Sequence, residues 1–467
     1  LENLNLLQKE IISKFKLFPF KKDNNNIYVA MTEKHSKLDI EKLRMIYNSN
    51  IIPMIVSEDK LSRLISEHSG KDTSLSEDIH FALNSYDLLI KNAVNLKATD
   101  IHIEPFNDSA LIRLRIDGDL SDYKNLELNE YTNLCSKIKY MAGMDITEKR
   151  LPQDGQIIYS LDNKKYDLRI SSIPTINGEK LALRILYKDY KINNMIELGF
   201  STNQVELLKN ILNSSNGLII IAGPTGSGKT TTMYSLINEL DISKLNISTI
   251  EDPVEYKING INQININMKA GLTFSAGLRS VLRQDPDVVI IGEIRDRDTA
   301  EIAIRASVTG HKILSTIHTN DAMGVILRLM DLGIDRHLIV EALTGIVCQR
   351  LVKKLCNNCK VTYNANKEEK QLLYLPEAQN LVLYKPKGCI YCNGSGYSGR
   401  TSINEVIHFN SKIKEILIEG EGIYKIREQL KVFLDNSIVS CCKKLVVSGT
   451  TSLEEYIKYK NQIYGEI

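Results

Sequence analysis

Eight residues, Gly223-Pro224-Thr225-Gly226-Ser227-Gly228-Lys229-Thr230, follow the spacing G-x-x-x-x-G-K-[ST]. These residue types suit a polyphosphate. Glycines at 223, 226 and 228 let the backbone curl so that its amides face phosphate oxygens at a helix N-terminus, where the helix dipole favours anions. Lys229 is placed to reach the β- and γ-phosphates of ATP, and Thr230 to ligate Mg²⁺, with Thr231 next in the same turn. The loop follows the apolar run Leu218 to Ala222 and precedes a helix-compatible run from Thr231 to Leu240, the order this motif requires.

Three more stretches carry chemistry. Asp287-Val-Val-Ile-Ile-Gly-Glu293-Ile-Arg-Asp296 is an apolar strand ending in an acid, as needed to bring a carboxylate beside the metal and the attacking water. Glu293 is the expected carboxylate. Gly292 stands where such strands commonly carry Asp, which leaves Thr230, water and Glu293 to hold the metal. Glu251-Asp-Pro-Val-Glu255 follows the strand Ser248 to Ile250, and strand ends in parallel sheets face the ligand crevice, so Glu251 is a catalytic candidate. Thr309-Gly-His311 and Ser315-Thr-Ile-His318-Thr-Asn320 bracket the strand Lys312 to Thr316. A lone histidine is more often structural than functional, but His318 sits in a polar run where a γ-phosphate sensor is wanted. Cys356-x-x-Cys359, 29 intervening residues and Cys389-x-x-Cys392 give two tight thiolate pairs, the arrangement of a tetrahedral structural zinc (Zn²⁺). The other cysteines, at 135, 348, 441 and 442, have no partner pattern and read as packed thiols.

Elements that position these groups emerge along the chain. With 467 residues, 43% hydrophobic and 25% charged, the composition is that of an ordinary globular protein of two to four domains. A net charge of +2 argues against a general polyanion binder, so no direct nucleic-acid partner is expected. The longest apolar runs are far below the roughly 18 residues of a membrane helix, and no signal-peptide pattern opens the chain, so membrane contact is expected to run through a partner. Cysteine spacing of this kind favours a reducing, cytoplasmic setting.

Residues 1–78 are expected to form a small docking domain. In 79–188, helical spacing at Leu89, Ala93 and Leu96 precedes alternating strands, with Asp117 and Gly118 as a turn, which predicts an α+β domain. Residues 189–203 read as an interdomain linker. Residues 204–349 alternate buried-type strands with helices, an α/β nucleotide core on a parallel sheet, followed by a metal subdomain at 350–402 and a C-terminal helical region at 403–467.

The boxes GPTGSGKT, TIEDPVEY, VVIIGEIRD and TGHKILSTIHTND, in this order, resemble the Walker A, Asp box, Walker B and His box of the type II/IV secretion ATPases, in the GspE/PilB branch. The resemblance covers roughly residues 80 to 460, with Ala98 to Pro105, Arg113 to Gly118 and Leu151 to Gly155 similar to the second N-terminal domain. It implies a RecA-like P-loop domain preceded by a PAS-like α+β domain, and an Mg-dependent ATPase. It further implies a homohexamer in which arginines close on ATP, at positions matching Arg169, Arg184, Arg279 and Arg283 here. A tetracysteine element in this family marks assembly motors rather than retraction motors. The implied role is type IV pilus assembly at the inner face of the cytoplasmic membrane, acting on pilins through a polytopic platform protein. Type II secretion or DNA uptake are alternatives within the family. A nucleic-acid translocase and a non-catalytic scaffold remain alternatives of other classes.

Overall fold

Alternating polar and apolar residues from 100 to 187 build one six-stranded antiparallel sheet. Its strands are β4 (Asp100–Pro105), β5 (Ala110–Ile116), β6 (Asp119–Leu126), β7 (Gln153–Leu161), β8 (Lys164–Thr175) and β9 (Gly178–Tyr187), in the order β6-β5-β4-β9-β8-β7. They are preceded by β1 (Phe18–Asp23), β2 (Asn26–Met31) and β3 (Asn50–Ile55), a small three-stranded sheet. The computed structural model describes residues 17–23, 26–32, 40, 44, 50–57, 60–61, 86–187, 194–378, 380–419 and 437–464. Most of the expected docking domain, and residues 189–193 of the expected linker, lie outside the described residues.

One face of the six-stranded sheet is apolar, with Ile101, Ile103, Ile112, Leu114, Leu168, Ile170, Leu181 and Leu183 buried against a helix, Leu128–Met141, and a helical stretch from 86. Period-two alternation sends the intervening residues to the other face. That face is charged: Glu104 pairs with Arg113 and Lys180, each at 2.6 Å, and Asp100 with Arg184 at 3.1 Å and Arg115 at 3.7 Å. The turn expected at Asp117 and Gly118 is present, both with positive φ (50° and 99°), and it opens β6, a strand the periodicity did not announce. Its pattern is almost wholly exposed, so no apolar alternation marks it.

The nucleotide core is a seven-stranded sheet. In space its order is β12 (Asn262–Asn265), β11 (Ile247–Glu251), β13 (Val288–Ile291), β14 (Lys312–Ile317), β10 (Gly217–Ala222), β15 (Leu343–Leu355) and β18 (Tyr397–His408). All neighbours are parallel except β18, which runs antiparallel to β15. Every residue of β10 is buried, with Leu218, Ile220 and Ala222 in the core on one face and Ile219 and Ile221 in that on the other. A strand covered on both faces reads as a continuous apolar run, as seen in the sequence.

Residues 194–203 pack onto this unit. Met195 and Phe200 are buried in its core, and Gly199 has φ 110° with Ser402 O 2.6 Å from where a Cβ would stand. Two short strands, β16 (Val361–Asn364) and β17 (Val382–Lys385), pair antiparallel in the cysteine-bearing subdomain.

Candidate nucleotide site and tetracysteine centre

Parallel strands deliver their C-terminal ends to one edge, and four of them converge here. After β10 the loop 223–228 curls, with Gly226 at φ 77° and Gly228 at φ 87°, into the helix Lys229–Asn238. Lys229 Nζ donates to Gly223 O and Pro224 O, each at 2.9 Å. Burial pulls its ammonium down to about 8, with Glu293 opposing and Arg350 adding to the shift. A phosphate at the loop would restore the charge balance. Ser227 Oγ is buried with no hydrogen-bond partner among the described residues, a polar atom left for a ligand.

Glu293 follows β13 and lies at the same edge. Its Oε2 is 3.6 Å from His318 Nε2, which β14 delivers, and its Oε1 is 2.5 Å from Arg295 Nη2. The His318 imidazole is pushed below its ordinary value by burial and then by the Lys229 charge, so it is neutral near pH 7. Glu293, His318 and Lys229, expected together from separate boxes, are brought together.

Glu251 is placed differently from its neighbours. It is buried, and its carboxylate accepts from Tyr234 Oη, Thr249 Oγ1 at 2.5 Å and Gln263 Nε2 at 3.3 Å. That network ties the loop's helix to β11. Burial pushes the Glu255 carboxyl of the same box above its ordinary value, opposed by the charges of Arg169 and Arg184 on the six-stranded sheet. Those two arginines are cross-strand partners, like charges set opposite one another, with Asp100 on Arg184 at 3.1 Å offsetting the repulsion. Arg279 lies on the helix Phe274–Val281, while Arg283 lies just past its end and donates to Arg279 O at 2.9 Å. Both are exposed.

Several contributors escaped the sequence reading. Arg350 of β15 is 4% exposed, donates to Asn320 Oδ1 at 2.7 Å, and keeps its Nε unpartnered among the described residues. It shares a cavity of about 150 Å³ with Pro224 to Ser227 and with the turn Asp117 to Asp119. That turn grips the nucleotide domain: Asp119 Oδ2 meets Lys353 Nζ at 2.7 Å, and Asp117 Oδ2 accepts from Gly399 N at 2.9 Å, with Arg400 Nε 3.6 Å from Oδ1. No motif spacing announces contacts between residues more than 200 positions apart.

The four cysteines expected to hold metal come together, their sulfurs all within 4.8 Å. Cys356 and Cys389 are 3.9 Å apart, Cys359 and Cys392 3.7 Å, and Cys389 and Cys392 3.7 Å. Thiolates about 2.3 Å from a tetrahedral zinc stand about 3.8 Å apart, so the donor set fits zinc. The N–H groups of Cys389 and Gly396 donate to Cys392 Sγ, each at 3.2 Å, which favours a thiolate.

The family model described as type II/IV secretion system protein matches residues 76–458, and that of the MshEN domain matches 1–75. The chain belongs to the type II/IV secretion system protein family. Two curated relatives similar to it are named ATPases. The type IV pilus assembly ATPase PilB of Thermus thermophilus is 36% identical, covering 97% of this chain, which spans about half (54%) of that relative. The type II secretion system ATPase E of Vibrio cholerae is 39% identical over 86% of this chain and 80% of its own. Among solved structures, the ATPase DotB of Legionella pneumophila superposes with a TM-score of 0.61 at 19% identity, over 80% of this chain and 95% of DotB, which supports the fold. The family resemblance and the α/β P-loop fold expected from the sequence are thereby borne out. No helix among the described residues is long and apolar enough to cross a membrane.

Proposed function

We propose that this family member is a hexameric cytoplasmic motor that hydrolyses Mg-ATP to drive type IV pilus assembly. The observation that carries the reading is that the PilB relative aligns over 97% of the chain, whereas the type II secretion relative aligns over 86%. A type II secretion motor is the second reading, favoured by the slightly higher identity of 39%.

In this account Gly223 to Gly228 cradle phosphates with their amides, Lys229 bridges the β- and γ-phosphates, and Thr230 and Thr231 open the helix beside Mg²⁺. Glu293 orients water, and His318 stands where the γ-phosphate contacts its neutral ring. Arg169 and Arg184 arrive on the PAS-like sheet, Arg279 and Arg283 from the nucleotide domain, and Glu251 holds the Asp box to the loop's helix. Phosphoryl transfer depends on positioning and on positive charge around the transferred group, so closure of the PAS-like domain couples turnover to movement. Zinc held by Cys356, Cys359, Cys389 and Cys392 supplies a structural cross-link. The partner would be a polytopic inner-membrane platform protein, through which pilins are extracted, with the motor peripheral to the membrane.

The test is Lys229→Ala at the native locus, with surface filaments counted by electron microscopy and the secreted proteins blotted. Filaments should vanish while secretion continues. Normal filament numbers with lost secretion would transfer the reading to the secretion motor.

A further inference from the structure

Glu293 has a neighbour that none of the motif reasoning used. Arg295 Nη2 lies 2.5 Å from Glu293 Oε1, whereas His318 stands on the other oxygen. The segment carrying the pair is pinned on both sides. Ile294 is buried and its N–H donates to Thr316 O at 3.0 Å, and Asp296 caps the next helix, Arg297–Val308, by accepting from Thr299 N at 2.8 Å. With Ile294 turned inward, Glu293 and Arg295 on either side of it meet each other.

The terminal torsion of a glutamate is broad and roughly two-fold, so a carboxylate needs an external partner to choose its orientation. A guanidinium supplies charge-assisted donors in a fixed fork. Arg295 uses one N–H on Oε1 and feels the charge of Asp252, on the segment after β11, so it stands between the acids of two neighbouring strand ends. Its side chain is 63% exposed, against 15% for Glu293. A pair this open contributes little to stability, so its removal should act on turnover rather than on folding.

We propose that Arg295 is a positioning residue for hydrolysis: by occupying Oε1 it fixes the Glu293 carboxylate so that Oε2 is presented to the attacking water beside His318. This rests on Glu293 acting on water in an ATPase, and the rival role for Arg295 is a direct contact with phosphate. The two roles give different kinetics.

The experiment is a two-by-two set in the full chain: native, Arg295→Ala, Glu293→Gln and the double variant, with kcat and KM for Mg-ATP and a melting temperature for each. Arg295→Ala is expected to lower kcat by about 10- to 100-fold, the scale of a small misplacement of a reacting group. KM should stay within about twofold, since ground-state binding is untouched. In the Glu293→Gln background Arg295→Ala should change nothing further, because the group it positions is gone. Unchanged kcat, a rise in KM as the main effect, or an additional loss in the double variant overturns the proposal. A native chain that releases no phosphate overturns the hydrolysis reading itself, and the proposal with it.

Discussion

Glu293→Gln is expected to leave ATP binding within about threefold of native while lowering kcat by about 10³-fold, the scale seen when one group that stabilises or orients the transition state is removed. The amide keeps the shape of the side chain and its place between Arg295 and His318, but it cannot accept a proton from water. Binding should survive because the phosphate contacts come from the loop 223–230, on another strand end. Nucleotide titration beside a phosphate-release assay checks both halves. Equal losses of affinity and turnover would make Glu293 chiefly a metal holder.

Removing the metal should have the second large effect, on structure. Between Cys356 and Cys392 the described secondary structure is two four-residue strands, one six-residue helix and one turn of 3-10 helix; Ala365, Leu373, Leu381 and Leu383 tie its middle to the main core, which leaves the metal as the cross-link at its cysteine end. Binding of a structural zinc is of the order of 10 kcal/mol at neutral pH and is folding free energy for such an element. The expected result is one zinc per chain by atomic absorption in the native protein and none in Cys356→Ala with Cys389→Ala. The double variant should melt on the order of 10 °C lower. It should also be cleaved within 360–388 by proteases that leave the native chain intact. The sheet built on β10 and β14 should persist, since its core does not include the cysteine cluster.

How much could be read from the residues differs by the kind of contact that makes each feature. The phosphate loop and strands β10, β13 and β14 were legible because each is local: an apolar run bounded by glycine or by an acid fixes strand, turn and end within about ten residues. The cysteine pairs were legible because metal ligation imposes spacing. Strand β6 was not, since a solvent-facing edge strand carries no alternation. Neither was the antiparallel β18, whose pairing with β15 spans about 40 residues of intervening chain.

Within the site, spacing placed Glu251 and Glu293 alike at strand ends, but only packing distinguishes them: Tyr234 and Thr249 enclose Glu251, while Glu293 faces the cleft. Arg279 and Arg283 stand four apart in the sequence but do not share a helix: it ends at Val281, and Arg283 folds back on Arg279 O. Arg350 and the grip of Asp117 and Asp119 on Lys353 and Gly399 are tertiary facts, made by segments far apart in the chain.

The most direct test of a motor built on this site is phosphate release by the purified full chain given ATP, with Mg²⁺ present or chelated, and with single-stranded DNA added. The account predicts turnover that requires Mg²⁺ and is indifferent to DNA. ATP binding without phosphate release would contradict it in favour of a nucleotide-binding scaffold, and stimulation by DNA that fades with added salt would contradict it in favour of a translocase.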